Sequence, residues 1–310
     1  MIRFCYNIIS WDNGPVPGGM ADRMVGPIFP HLPEYETARW PERGRLNAYL
    51  SMPSIYEDRF IPGGVLVSHG IADKGIRVGA NLRDSFAYVT VPGPAYAERA
   101  RETGYPASRI VELGYPKLDP IFQGLVEPLP RDDRIRVVYA PTHGGGGERL
   151  HLNDTAPPAI TAARRTSYWF RDEVTKQLDP EVFDVVLALH PRHRPDRQAT
   201  LAEYVGADVV IADGGSTIYE AWALGIPVVF PSWLTRGGHS LGKRTTEAKI
   251  YSQRIGRHAD VPGQLAKLVR QAAEEGMQSG ETALIDYVFP PAYRGVSGKL
   301  HAEFLMSLDG

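Results

Sequence analysis

The sequence predicts an α/β protein of two Rossmann-like domains, each built on a parallel sheet. Three observations predict it. Short apolar runs recur along the chain, and most are continuous rather than alternating, as in strands covered on both faces. Segments of helical composition separate them, which is the pattern of βαβ units. Behind the polar stretch GLVEPLPRDDR (124–134), with its two prolines, the pattern begins again. At 310 residues the chain suits two domains of about 100–200 residues each. The expected domains are 1–128 and 129–310.

The elements follow in order. Arg3 to Ser10 reads as a buried opening strand, and DNGPVPGG (12–19) as a loop. Residues 26–64 are rich in proline and aromatics with weak periodicity, so they read as irregular with short helices. Gly64–Ser68, Ala87–Val91 and Ile110–Leu113 are strands, and Ala95–Thr103 is a helix. Past the linker, Ile135–Ala140, Phe183–Leu189, Asp208–Ala212 and Pro227–Phe230 are strands. Residues 158–178 have helical composition, Thr217–Leu224 is a short helix, and LAKLVRQAAEE (265–275) is an amphipathic one.

Composition narrows the function classes. Hydrophobic residues make up 43% and charged residues 23%, as in globular proteins. A net charge of -2 gives no global basic field of the kind nucleic-acid binders carry, although a local basic patch stays open. The one cysteine, Cys5, allows no internal disulfide and fits a reducing compartment. It lies in the apolar run Ile2–Ile9 and reads as a buried thiol. No apolar run approaches the roughly 18–20 residues of a transmembrane segment, and no secretion signal is evident. The expected location is cytoplasmic, with peripheral membrane attachment left open.

Open parallel sheets bind ligands beyond the carboxyl ends of their strands. That rule selects His69-Gly70, Gly114-Tyr115-Pro116, His143 with Gly144–Gly147, His190-Pro191-Arg192 and Asp213-Gly214-Gly215-Ser216. Gly214 and Gly215 remove side chains where the backbone approaches a neighbour closely. Ser216 and Thr217 suit a helix cap. The helix start they open presents free N–H groups and the positive end of a dipole, which suits phosphate. A capped turn with no ligand explains the same residues, so both readings stand. There is no Asp-x-Asp triplet, and His190 with His193 has no supporting cysteine or carboxylate cluster, so no metal is expected.

ADGGSTIYEAWALGIPVVF resembles the C-terminal-domain motif of GT-B-type glycosyltransferases. It is most similar to the CDP-glycerol glycerophosphotransferase family of teichoic acid synthesis. SHGIADKGIR (68–77), GYPKLDPIF (114–122), VVYAPTH (137–143) and LALHPRHRP (187–195) match that family's segments in the same order. The chain departs from the pattern at Ile71, where the family has threonine, and at the glycine run after His143. The Asp-Gly-Gly turn is also similar to that of nucleotide-sugar 2-epimerases.

The resemblance implies two domains facing a cleft. It implies a metal-independent transferase that moves a glycosyl or glycerophosphoryl group from a nucleotide-diphosphate donor to an acceptor hydroxyl on a polymer or glycan. The donor is a substrate, and no cofactor is expected. His69 is the candidate base, since an imidazole with a pKa of ~6.5 accepts a proton at neutral pH. Gly214, Gly215, Ser216 and Thr217, with His190 and Arg192, are the candidate phosphate ligands. Lys74 and Arg77 are further cations near His69. Thr142, His143 and Glu220 are assigned to the nucleotide, Glu220 through its capacity to accept from a ribose diol. Asp213 reads as a cap on the turn. RGGHSLGKR (236–244) adds basic residues beyond the last clear strand. Three other readings stay open: a DNA-base glycosyltransferase, a nucleotide-sugar 2-epimerase, and a nucleotide-sugar-binding module without turnover.

Overall fold

The computed structural model describes residues 1–5, 20–50, 59–67, 70–72, 85–142, 167–190, 200–235 and 245–309. It divides into two compact units, Met1–Leu125 with Asp286–Gly310, and Val126–Ile285. The last 25 residues thus pack with the first unit, whereas the sequence reading left them contiguous with the second.

The first unit carries a six-stranded sheet in the order β2-β1-β3-β4-β5-β6, with every pairing parallel. The strands are β1 (Ile2–Cys5), β2 (Tyr35–Ala38), β3 (Leu46–Tyr49), β4 (Gly64–Val67), β5 (Phe86–Val91) and β6 (Ile110–Glu112). Tyr49, Leu66, Phe86 and Val91 form its core with Tyr96, Ala97 and Ala100, the buried stripe of the helix Pro94–Glu102. Cys5 is buried in the same core, and burial pushes its thiol up to about 12. Two strands, β2 and β3, stand where the sequence read irregular structure. β2 is an edge strand with no fully buried residue, so it shows no apolar run. β3 is interrupted by Asn47, which is buried because its amide pairs with the Glu42 backbone at both N–H and C=O.

The chain's last segment docks on this unit through the Gly-x-Pro element. Gly114 has a positive φ of 82°, and a Cβ there would stand 2.2 Å from Ser297 Oγ. The N–H of Tyr115 donates to that Oγ at 2.9 Å, and the N–H of Gly298 donates to Asp119 at 2.6 Å. Gly298 itself approaches the Pro27 carbonyl so closely that a Cβ would meet it at 2.2 Å. One turn on in the helix Ser297–Asp309, His301 donates from Nδ1 to the Ser297 carbonyl and accepts at Nε2 from Thr90.

The second unit carries a five-stranded sheet in the order β11-β10-β9-β7-β8, again all parallel. These are β7 (Ile135–Ala140), β8 (Phe183–Leu187), β9 (Val209–Ala212), β10 (Val228–Phe230) and β11 (Arg257–His258). β7 and β9 are buried almost throughout, as their continuous apolar runs require. The helix Leu265–Glu275 lays Leu265, Val269 and Ala272 on them, positions i, i+4 and i+7 of one face. Arg136 is buried but fully engaged. It pairs with Asp184 at 2.6 Å and donates to the carbonyls of Leu129 and Pro130, which fixes the expected linker against the sheet. Of the expected helical stretch 158–178, the described part is a 3-10 turn at Ser167–Phe170 and a helix at Arg171–Thr175. Among the described residues, no helix is long and apolar enough to cross a membrane.

Burial lowers two histidines, His301 and His258, from 6.5 to about 4. A histidine held low prefers to stay neutral. As pH falls below 6.5 the unfolded chain takes up the proton first, and stability drops until about 4. Burial raises Asp119 from 3.8 to about 6, so its contribution runs the other way over that window. Burial raises Glu281 as well, in the same direction as Asp119, but the two histidine shifts together outweigh those of the carboxylates, and the net effect of acidification is a loss. The thermal midpoint should therefore fall between about pH 6.5 and about pH 4.5. His301→Asn retains a donor and an acceptor and should flatten part of that fall. A midpoint that rises on acidification contradicts this reading.

Candidate functional site

The carboxyl ends of β7 and β9 meet at Asp213. This residue is fully buried, and its carboxylate bonds the ends of other segments rather than its own helix start. Oδ1 accepts the N–H of Thr142 at 2.7 Å, just past β7, and Oδ2 accepts the N–H of Ser167. The expected cap is therefore a cross-brace. Asp213 remains the first residue after β9, but the groups it satisfies lie 71 and 46 residues away.

The next two residues are held as firmly. The Gly214 carbonyl accepts from Thr142 Oγ1 at 3.1 Å and from Thr217 Oγ1 at 3.2 Å. Gly215 is the residue before the helix Ser216–Ala223 and has φ 80° and ψ -165°. That left-handed region is open to glycine and strained for other residues, so the second glycine is dictated by the backbone. The Gly215 N–H donates to Glu247 Oε2 at 3.1 Å. Glu247 is buried in the first turn of the helix Thr246–Ser252, which Thr245 caps by accepting the Ala248 N–H. From the same helix, Tyr251 donates to the Asp213 carbonyl at 2.8 Å. Burial first, and then the charge of Asp213, holds the Tyr251 hydroxyl well above its ordinary pKa, so it stays a donor.

Ser216 and Thr217 are half-buried at the helix start. The N-cap residue of this helix is Gly215, which has no side chain to cap it. Ser216 does not act as the expected cap, and the Thr217 hydroxyl turns back to Gly214. The first-turn amides of a helix have no acceptor within it, and the dipole favours an anion there. The arrangement can present amides in a fixed direction at the carboxyl edge of a parallel sheet.

The other expected residues fall into two groups. Thr142 stands against the turn, and His190 is half-buried just past β8. Glu220 is buried and accepts from Tyr204 Oη at 3.0 Å. It faces the core, not solvent. His69, Lys74, Arg77, His143, Arg192 and 236–244 lie outside the described residues. Glu247 and Tyr251 were missed by the sequence reading. The threonine pair before Glu247 signals a helix start, but nothing local shows that its carboxylate reaches back to Gly215.

No model of a known protein family matches the chain, and no curated protein matches it in sequence. Solved structures do. The wall teichoic acid polymerase TagF aligns with 99% of this chain and 88% of its own, at a TM-score of 0.62 and 13% identity. The chain shares TagF's fold. A histidine-to-asparagine variant of TagF soaked with CDPG gives the same coverage and TM-score at 14% identity. The UDP-GlcNAc 2-epimerase from Neisseria meningitidis, bound to UDP-GlcNAc, gives 0.48 at 10% identity, too slight a likeness to argue from. The two parallel sheets and the match to TagF give the GT-B-like α/β architecture that the motifs implied.

The roles of Asp213 and Ser216 separate in stability. Asp213→Ala leaves two amides without their acceptor in the interior and should cost about 3–5 kcal/mol in chemical denaturation. Ser216→Ala removes no described bond and should stay within about 0.5 kcal/mol of wild type. Equal losses would contradict the cross-brace.

Proposed function

We propose that the chain is a transferase acting on a nucleotide-diphosphate-linked donor, moving a glycosyl or glycerophosphoryl group to a hydroxyl on a polymer or glycan. The braced turn at Asp213–Gly215, opening a helix at the carboxyl end of β9, carries the reading. The fold is that of TagF, a polymerase whose variant was soaked with CDPG. A turn that merely reverses the chain does not require each of its peptide groups to be held from elsewhere.

In this reading the amides of Ser216 and Thr217 meet the donor phosphate, with His190 and Arg192 as further donors. Thr142 and His143 border the nucleotide. Glu220 seats the helix through Tyr204 rather than binding ribose. His69 takes the proton from the acceptor hydroxyl. The freed oxygen attacks the donor, and the bond to the departing nucleotide phosphate breaks. Charge develops on that phosphate, and preorganised donors stabilise it without reorganising at the moment of reaction. The guanidinium of Arg192 suits a bidentate grip on it. Metal is not invoked in this scheme, because the helix start and the basic side chains supply the positive charge.

A thermal-shift panel of CDP, UDP, ADP, GDP and dTDP tests the assignment. A bound diphosphate at about 100 times its Kd adds about 2.7 kcal/mol to stability, and the responding base names the donor class. Ser216→Asp should abolish the shift by setting a charge against phosphate. His69→Ala should keep the shift and lose turnover. No response to any nucleotide would overturn the reading.

A further inference from the structure

We infer that Glu247 is a positioning residue of the donor site, one that acts on the ligand through the Gly215 amide. The inference rests on the reading above and assigns a role to a residue outside the motif. Three facts carry it. The Glu247 carboxylate accepts the Gly215 N–H at 3.1 Å while buried at the carboxyl edge of the sheet. Gly215 is held in the left-handed region, where the direction of its N–H sets the path into the helix. Tyr251, one turn further along the same helix, holds the Asp213 carbonyl. One helix therefore grips the peptide groups on either side of Gly214, and the two threonine hydroxyls grip Gly214 itself.

The consequence concerns aim. The amides of Ser216 and Thr217 follow Gly215 directly, so rotation of the Gly215 peptide swings them away from a common point. Glu247 stops that rotation. The carboxylate thus orients the amides. An uncharged acceptor of the same shape keeps that effect.

Calorimetric titration of the full chain with CDP and with UDP tests this, using wild type, Glu247→Ala and Glu247→Gln. Loss of a hydrogen bond that orients a charged ligand corresponds to about tenfold in Kd. Glu247→Ala should lose about that much on the nucleotide that wild type binds. Glu247→Gln keeps the acceptor oxygen and should bind about as tightly as wild type. A merely structural role would lower the melting temperature of both variants without separating their Kd values. If Glu247→Ala does not fold, Glu247→Asp replaces it: the charge stays, the oxygen is drawn back by one methylene, and the same loss is expected. Wild-type affinity in every variant overturns the inference, and so does an equal loss in all of them, Glu247→Gln included. Wild-type protein that binds neither nucleotide overturns the proposed function and this inference together.

Discussion

A buried carboxylate accepting backbone N–H groups from two distant segments organises the second unit. Asp213 sits where β9 ends, and it receives Thr142 from the end of β7 and Ser167 from the segment beyond. Burying a carboxylate is costly in the absence of such donors. With them the bonds are charge-assisted and correspondingly strong. The turn after Asp213 then has one conformation, since the carbonyls of Asp213 and Gly214 and the N–H of Gly215 each have a partner outside it.

This places two acids, Asp213 and Glu247, beside a helix start proposed to meet a phosphate. The helix end supplies about half a positive charge. A diphosphate carries more than that, so an anionic donor calls for cationic side chains as well. The sequence provides them behind β8 and β10, as Arg192, Arg236, Lys243 and Arg244. On this account the turn sets direction and the basic segments set affinity.

The legible part of the fold was the part whose burial is continuous. IRVVYA and VVIA are buried nearly throughout and read directly as strands. The helix Leu265–Glu275 was read to the residue, because its buried positions recur at helical spacing. β2 and β3 were not legible. One lies exposed at an edge, and the other carries a buried asparagine whose partner is a nearby loop. At the site, Gly214–Thr217 were found from local chemistry, while the distant partners that fix Gly214 and Gly215 lie 72 and 32 residues away. Glu220 carries a local clue of its own: it sits between Tyr219 and Ala221 in a helix buried on almost every side, so its carboxylate needs internal partners, and Tyr204 is one of them.

The most direct measurement is the amide signal of the turn itself. In a titration of isotope-labelled protein with CDP or UDP, followed by two-dimensional NMR, the amides of Ser216 and Thr217 should move downfield and saturate. Their curves should follow the calorimetric Kd. Signals from Ser216 and Thr217 that stay in place while the nucleotide saturates the protein would contradict the account.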